Sequence, residues 1–279
     1  MQKHSRSLEK GQIDFFEIQS DDVTVAAQKA GADSYQIIEG ALDNLATLQA
    51  RNVSPEALTR LATWSRSLDR RALLAAATST PTQNFSANRK VPARTLLALS
   101  EAEAEAVPTE APPKNLSVHM IKLVLELGAE ATSDQLRDAK ALGISAATYG
   151  IEIEIKSNVP DFRSKWESEA YSLTLTRMGV THYDEADLWN GYLCAGYKPY
   201  ASLGGLACSD IKQALELPTG HDQRKKMLKS AYRKILASGH IVPLYHFPRR
   251  YLVHKRWNLV DYNVDRPYPR FSAFELTGS

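Results

Sequence analysis

The sequence is poor in features that identify a function directly. Its 279 residues include only two cysteines, Cys194 and Cys208, whose spacing does not suit a metal site. They are compatible with a disulfide that closes a loop of roughly 15 residues, worth about 3 kcal/mol, and equally with two separate buried thiols. Lys and Arg number 34 against 32 Asp and Glu, so the basic excess typical of nucleic-acid binding is lacking. Nucleic acid is therefore not an expected partner.

Long apolar runs and enzyme motifs are also absent from the sequence. No stretch approaches the roughly 20 apolar residues that a membrane helix needs. The polar start, residues 1–8, has no apolar core of a signal peptide, so either the chain is cytosolic or the true start of the gene product is missing. Phosphate-binding loops, nucleophile elbows and zinc-protease motifs do not occur. We therefore expect no cofactor, no metal and no catalytic residue.

What the sequence does contain is a regular α/β pattern after residue 115. Apolar residues run almost continuously from Ser117 to Leu125, and strict alternation follows at 151–156 and 171–177. Between these strands, Thr132 and Gln135 form the capping box of a helix, and a shorter helix follows Pro160. This β-α-β-α-β order predicts a doubly wound sheet in which these strands are mostly parallel.

Outside residues 117–177 the sequence gives weaker indications of secondary structure. Residues 12–18 are typical of a short strand. Ser54, followed by Pro55 and Glu56, predicts the start of one helix, and Asp69 predicts the cap of a second. Residues 101–113 are rich in Glu, Ala and Pro and indicate a linker. Later, residues 222–237 predict an amphipathic helix that ends before Gly239.

The loop after the strand that ends at Arg177 is the best candidate for a binding site. Ligands of open α/β sheets bind beyond the carboxyl ends of the strands, and residues 183–200 hold five of the chain's 23 aromatic residues, mixed with glycines. Arg177 could bind a carboxylate, and Asp184 or Asp187 could bind an amine. His182 could act as a neutral hydrogen-bonding partner or, when protonated, as a cation. The alternative is that the aromatics only pack the loop on the sheet. The predicted ligand-binding residues are Arg177, Met178, His182, Tyr183, Asp184, Asp187, Trp189 and Tyr245.

Six blocks in the chain resemble, in order, motifs of the extracytoplasmic solute-binding proteins of the oligopeptide and dipeptide class, which serve ABC importers. Residues 241–253 resemble the "PLY…YLV" close of that family, 149–155 its "GIEVEI" strand, and 182–189 its "DYPDP" loop. The other blocks are 8–14, 68–74 and 162–175. His182 stands where many peptide binders carry an aspartate for the ligand's amine, which leaves a different or acidic solute open.

The resemblance implies a periplasmic-binding-protein-like fold, with one doubly wound mixed-sheet lobe and part of a second lobe. Family members are about twice as long, so most of the first lobe is missing here. The implied division is 1–100 for the partial lobe I and the start of lobe II, 101–114 for the linker, 115–240 for the ligand-binding lobe and 241–279 for the return to lobe I.

The resemblance also implies a function. The chain would capture a peptide or related solute outside the cytoplasm and deliver it to the membrane permease of an ABC importer, without being an enzyme. Two alternatives stay open at this point. One is a cytosolic ligand-sensing domain that shares the fold. The other is a hydrolase or metal enzyme that uses His182, Asp184 and Asp187.

Overall fold

The computed structural model of the chain describes residues 14–18, 34–39, 44–77, 91–93, 119–129, 131–179, 185–194, 204–248, 250–259 and 274–276. The strands are β1 Phe15–Ile18, β2 Tyr35–Glu39, β3 Asn44–Ala50, β4 Val91–Pro92, β5 Ile121–Gly128, β6 Ile151–Val159, β7 Leu173–Gly179, β8 Ile241–Phe247, β9 Arg250–His254, β10 Trp257–Leu259 and β11 Phe274–Leu276. The helices are α1 Pro55–Ser67, α2 Arg70–Ala77, α3 Ser133–Ala147, α4 Phe162–Glu167, α5 Glu185–Trp189, α6 Gly204–Leu215 and α7 Asp222–Ala237, with a π-helical turn at Asn190–Cys194 after α5.

Three helices begin at the capping residues predicted from the sequence. The Ser54 hydroxyl accepts the backbone N–H of Ala57 at 3.1 Å at the start of α1. The carboxylate of Asp69 accepts two backbone N–H groups of α2, both at 3.0 Å. At α3 the Thr132 hydroxyl and the Gln135 side chain each accept the other residue's backbone N–H, at 3.3 and 3.0 Å. These polar groups satisfy N–H donors that have no partner inside the helix.

The main sheet has six strands in the order β4-β8-β3-β7-β5-β6. Strands β7, β5 and β6 are mutually parallel, as predicted for this part of the chain, and β4, β8 and β3 add antiparallel pairs. The sheet is therefore mixed. Strand β3 was not predicted, although it lies in the centre of the sheet and all seven of its residues are buried. The predicted linker at 101–114 lies outside the described residues.

Helices cover both faces of this sheet, which confirms the doubly wound architecture. On one face α1, α2 and α3 pack on alternate residues of β3, including Ala46 and Leu48, to form a first hydrophobic cluster. On the other face α5, α6 and α7 pack against Leu45 and Met178 in a second cluster. Neighbouring residues of one strand point to opposite faces, so β3 contributes to both clusters.

A second, smaller sheet represents the partial second lobe. Strand β9 pairs antiparallel with β1 on one side and β2 on the other. Because β8 belongs to the main sheet and β9 to the small one, the chain passes between the sheets after Phe247. The division into domains at 100, 114 and 240 remains a prediction. Among the described residues, no helix is both long and apolar enough to cross a membrane.

Candidate functional site

The register of three neighbouring strands aligns two of the predicted ligand-binding residues. Ala46 of β3 is paired with Tyr245 of β8 on one side and with Arg177 of β7 on the other. Paired residues of antiparallel strands share a face of the sheet, so the three side chains form one row. Arg177 stands two residues before the carboxyl end of β7. The row therefore lies near the edge at which ligands of α/β sheets bind.

Helix α3 brings two carboxylates to the same region. It follows β5, so its first turns lie at the carboxyl ends of the parallel strands. Asp134 and Asp138 are four residues apart on α3 and share one face of the helix. Their exposed fractions are only 2% and 3%. Carboxylates are rarely buried to this extent unless they are paired or serve a site.

Hydrogen bonds, ion pairs and ring contacts join these residues into one group. The Tyr245 hydroxyl donates to Oδ2 of Asp138 at 2.5 Å, and Oδ2 of Asp134 lies 4.0 Å from Nη2 of Arg177. The guanidinium of Arg177 stacks over the Phe247 ring, with Cζ 5.2 Å from its centroid. Phe247 and Tyr245 also meet edge to face, their centroids 5.8 Å apart. We call Asp134, Asp138, Arg177, Tyr245 and Phe247 the Arg177 cluster.

The protonation of Tyr245 follows from its surroundings. Burial raises the pKa of its hydroxyl well above 10, and the negative charge of Asp138 and the hydrogen bond to that carboxylate raise the pKa further, while Arg177 opposes them. Tyr245 is therefore a neutral hydrogen-bond donor at any physiological pH. It fixes one oxygen of Asp138 without neutralising its charge.

Arg177 is the charged member of the cluster that reaches solvent, since its side chain is 28% accessible and Asp134 and Asp138 are buried. A guanidinium presents a planar fork of donors that matches a carboxylate or a phosphate. Asp134 and Phe247 restrict the orientation of this fork. The cluster contains no thiol, imidazole or activated hydroxyl, and the described residues contain no group of three potential metal ligands. The arrangement is suited to binding a charged solute.

The other predicted site residues lie elsewhere. Met178 and Trp189 are 4% and 2% exposed and belong to the second cluster, on the opposite face of the sheet. The Trp189 ring meets Tyr232 edge to face, with centroids 5.6 Å apart. Asp187 is exposed on α5. His182, Tyr183 and Asp184 lie outside the described residues. A ligand-binding role remains a prediction for all eight residues, Arg177 and Tyr245 included.

The sequence predicted Arg177 and Tyr245 as ligand-binding residues, but it did not point to the other three members of the cluster. Acidic residues on a helix are usually solvated, so the sequence alone does not mark Asp134 and Asp138 as buried. A signal was nevertheless present, since the capping box at Thr132 fixes where α3 begins and hence which residues of its first turns face the sheet. Phe247 gave no comparable signal, because its place depends on the pairing of β8 with β3.

The two cysteines form a disulfide, which the sequence left open. Cys194, at the end of the π-helical turn, is bonded to Cys208 on α6, with the Cα atoms 5.5 Å apart. The disulfide links the predicted binding loop, in which Cys194 lies, to α6 on the second face of the sheet.

A shallow concavity of about 360 Å³ lies on the other side of the β5–β6 pair. Its charged lining residues are already paired. Nζ of Lys165 is 2.7 Å from Oε1 of Glu126, and Nζ of Lys156 is 3.5 Å from Oε1 of Glu154.

Comparison with solved structures identifies proteins of the same fold. The substrate-binding protein CtaP of an ABC transporter from Listeria monocytogenes has a TM-score of 0.70 and 16% identity, over 99% of this chain and 58% of that one. For NikA from Brucella suis, solved with Fe(III)-EDTA, the TM-score is 0.67 and the identity is 14%. The match covers 99% of this chain and 60% of NikA. For the oligopeptide-binding protein AppA from Bacillus subtilis, solved with a nonapeptide, the TM-score is 0.60 and the identity is 15%. The match covers 99% of this chain and 58% of AppA.

These comparisons confirm the fold predicted from the sequence motifs. Identities this low establish the fold and not the solute. The chain spans about three-fifths of the length of these structures, which agrees with one complete lobe and part of another. No established family profile matches the sequence, and no curated protein does.

Proposed function

We propose that this chain, which has the fold of the substrate-binding proteins of ABC transporters, is itself the solute-capturing part of such an importer. It would bind a peptide or related charged solute and present it to a membrane permease. The observation that carries the proposal is the Arg177 cluster, a partly exposed arginine backed by buried carboxylates near the carboxyl edge of the sheet.

The solutes of the compared proteins share one chemical feature. AppA was solved with a nonapeptide and NikA from Staphylococcus aureus with Ni(L-His)2. Peptides, histidine and EDTA all carry carboxylate groups. A guanidinium held in place by Asp134 and Phe247 is suited to that group. We therefore propose that Arg177 binds a carboxylate of the solute.

The disulfide supports a location outside the cytoplasm. Structural disulfides persist in oxidising compartments and are rare in the cytosol, where thiols are kept reduced. The bond between Cys194 and Cys208 thus favours an extracytoplasmic solute-binding protein over a cytosolic sensing domain of the same fold. Thiol trapping of the protein in intact cells checks this point, because a reduced pair would favour the cytosolic alternative.

A ligand screen tests the proposed function. Thermal unfolding would be followed with di- and tripeptides, longer peptides, Ni(II)–histidine, Fe(III)-EDTA and a neutral oligosaccharide. A solute at a hundred times its Kd stabilises the folded state by about 2.7 kcal/mol. We expect at least one carboxylate-bearing solute to raise the melting temperature and the neutral oligosaccharide to have no effect.

A matched pair of variants links binding to the site. Arg177→Met keeps the length of the side chain and removes its charge, whereas Arg233→Met makes the same change at an exposed position of α7. Only the first should abolish the ligand-induced shift. Equal binding by both variants would place the solute elsewhere, and the absence of any stabilising solute in the screen would contradict the proposed function.

A further inference from the structure

We infer that the outer face of helix α7 is a docking surface for an anionic lipid membrane. This surface consists of four basic side chains, which we call the α7 basic row: Lys225, Lys226, Lys229 and Arg233. The inference goes beyond the proposed function, because it concerns the surface that holds the protein and not the solute that the protein binds.

Helix α7 concentrates positive charge. It carries six basic side chains and one acidic side chain, although the whole chain has a net charge of only +2. Two of the six have a structural partner. The buried Arg224 donates to the backbone oxygen of Leu217. Nζ of Lys234 lies 2.7 Å from Oδ2 of Asp210 on α6. The other four form the α7 basic row, which is exposed and has no ion pair within the described part of the chain.

The spacing of the α7 basic row works against the stability of the helix. On α4, Nε of Arg163 is 2.9 Å from Oε1 of Glu167, four residues later. On α7, the residue four after Lys225 is Lys229, and the residue four after Lys229 is Arg233. Opposite charges at this spacing stabilise a helix and like charges destabilise it. A local conflict of this kind is expected where a surface serves a function.

The α7 basic row is a straight line of charge that faces away from the candidate solute site. Residues four apart share one face of a helix, so Lys225, Lys229 and Arg233 span about 12 Å along it, with Lys226 beside them. Helix α7 covers the face of the sheet opposite the Arg177 cluster. Changes in the row, Arg233→Met included, therefore leave that cluster untouched.

An anionic membrane fits the α7 basic row better than a protein partner does. Protein interfaces depend on aromatic and apolar anchors in a buried core and are depleted in lysine. The row has three lysines and no aromatic side chain, since Tyr232 of the same helix is only 2% exposed. A membrane with acidic headgroups attracts basic side chains through its surface potential and needs no matching pocket.

Co-sedimentation with lipid vesicles tests the inference. One set of vesicles contains phosphatidylcholine alone, and the other contains phosphatidylcholine and phosphatidylglycerol in equal parts. We expect the wild type to bind only the anionic vesicles in about 0.01 M salt. Binding should weaken in about 0.1 M salt, because the screening distance falls from about 30 Å to about 10 Å. Equal binding to both sets, or no binding to the anionic set, would overturn the inference.

A matched pair of variants assigns the binding to α7. Replacing the whole α7 basic row by glutamine should lower the affinity for anionic vesicles by about a hundredfold or more, since each basic residue near such a surface contributes about fivefold. The control removes as many exposed positive charges from four other elements: Lys122→Gln, Lys140→Gln, Lys156→Gln and Arg163→Gln. It should bind at least about tenfold more tightly than the row variant. Equal losses would mean that net charge alone attracts the protein, and the inference would be wrong.

Two further measurements separate membrane docking from other roles of the α7 basic row. Without vesicles, the row variant should melt at the same temperature as the wild type or higher, because repulsion between like charges is relieved. A lower melting temperature would show that the row serves the fold instead. Binding of the wild type to polyglutamate but not to anionic vesicles would identify an acidic protein segment as the partner and would also overturn the inference.

Discussion

Two glycines on either side of helix α7 offer a controlled test of how closely α7 and α1 approach. Gly220 precedes α7 and Gly239 follows it, with φ angles of +87° and +75°. Both angles are in the left-handed region, which costs an L-residue about 1–2 kcal/mol. Replacing either glycine by alanine therefore carries this conformational cost.

The surroundings of the two glycines differ. A Cβ on Gly220 would meet no atom within 4 Å. A Cβ on Gly239 would stand 2.1 Å from the carbonyl oxygen of Leu58 in α1, and 2.8 Å from its carbonyl carbon. The neighbour is backbone and cannot rotate away as a side chain could. Such overpacking adds about 1–3 kcal/mol or more.

We therefore expect Gly220→Ala to lower the free energy of unfolding by about 1–2 kcal/mol and Gly239→Ala by about 2–5 kcal/mol. Urea titration gives both values, and the melting temperatures should fall by about 2–4 °C for each kcal/mol. If the two variants agreed within about 0.5 kcal/mol, close to the usual effect of a neutral surface change, the close contact between α7 and α1 would be refuted.

Three further predictions concern the disulfide, a helix cap and the buried tyrosine. Replacing Cys194 and Cys208 by serine should lower the free energy of unfolding by about 3 kcal/mol, and a reducing agent should lower the melting temperature of the wild type only. Thr132→Ala should cost about 1 kcal/mol in urea titration, because it removes half of the capping box; no change would mean that the cap does not stabilise α3. The folded state holds the Tyr245 proton more tightly than the unfolded chain, so this stabilisation is complete below pH 10 and is lost at higher pH. The stability difference between the wild type and Tyr245→Phe should therefore shrink as the pH rises above about 10, and a difference that stays constant up to pH 12 would contradict the raised pKa.

The local structure of this chain could be read from its sequence because local interactions determine it. Ser54, Asp69 and Thr132 cap helices through atoms no more than three residues away. The alternation at 151–156 reflects a strand with one wet face, since Glu152, Glu154 and Lys156 are exposed. In such segments, the residues that form the sequence pattern are also the residues whose interactions determine the local structure.

Strand β3 and the carboxylates of α3 could not be read in this way. The residues of β3 include Asn44, Thr47 and Gln49, which do not suggest a buried strand, and their burial comes from neighbours far along the chain. The Thr47 hydroxyl, for example, lies 2.8 Å from that of Thr176. Asp138 likewise acquires its importance from Tyr245, and only the sheet register brings the two together. Long-range pairing decides these features, and no local pattern encodes it.

The pairing of β3 with β8 has a consequence for how the protein is made. Leu48 is paired with Val242, so nearly the whole described chain must be synthesised before the central strand gains its second neighbour. Contacts this distant in sequence slow folding, because a long loop must close before they form. A nascent chain without the residues from Ile241 onward exposes an edge of β3 and lacks the tyrosine that orients Asp138. Strand closure and completion of the candidate site are thus one late event, and the unfinished protein is exposed to aggregation through that edge.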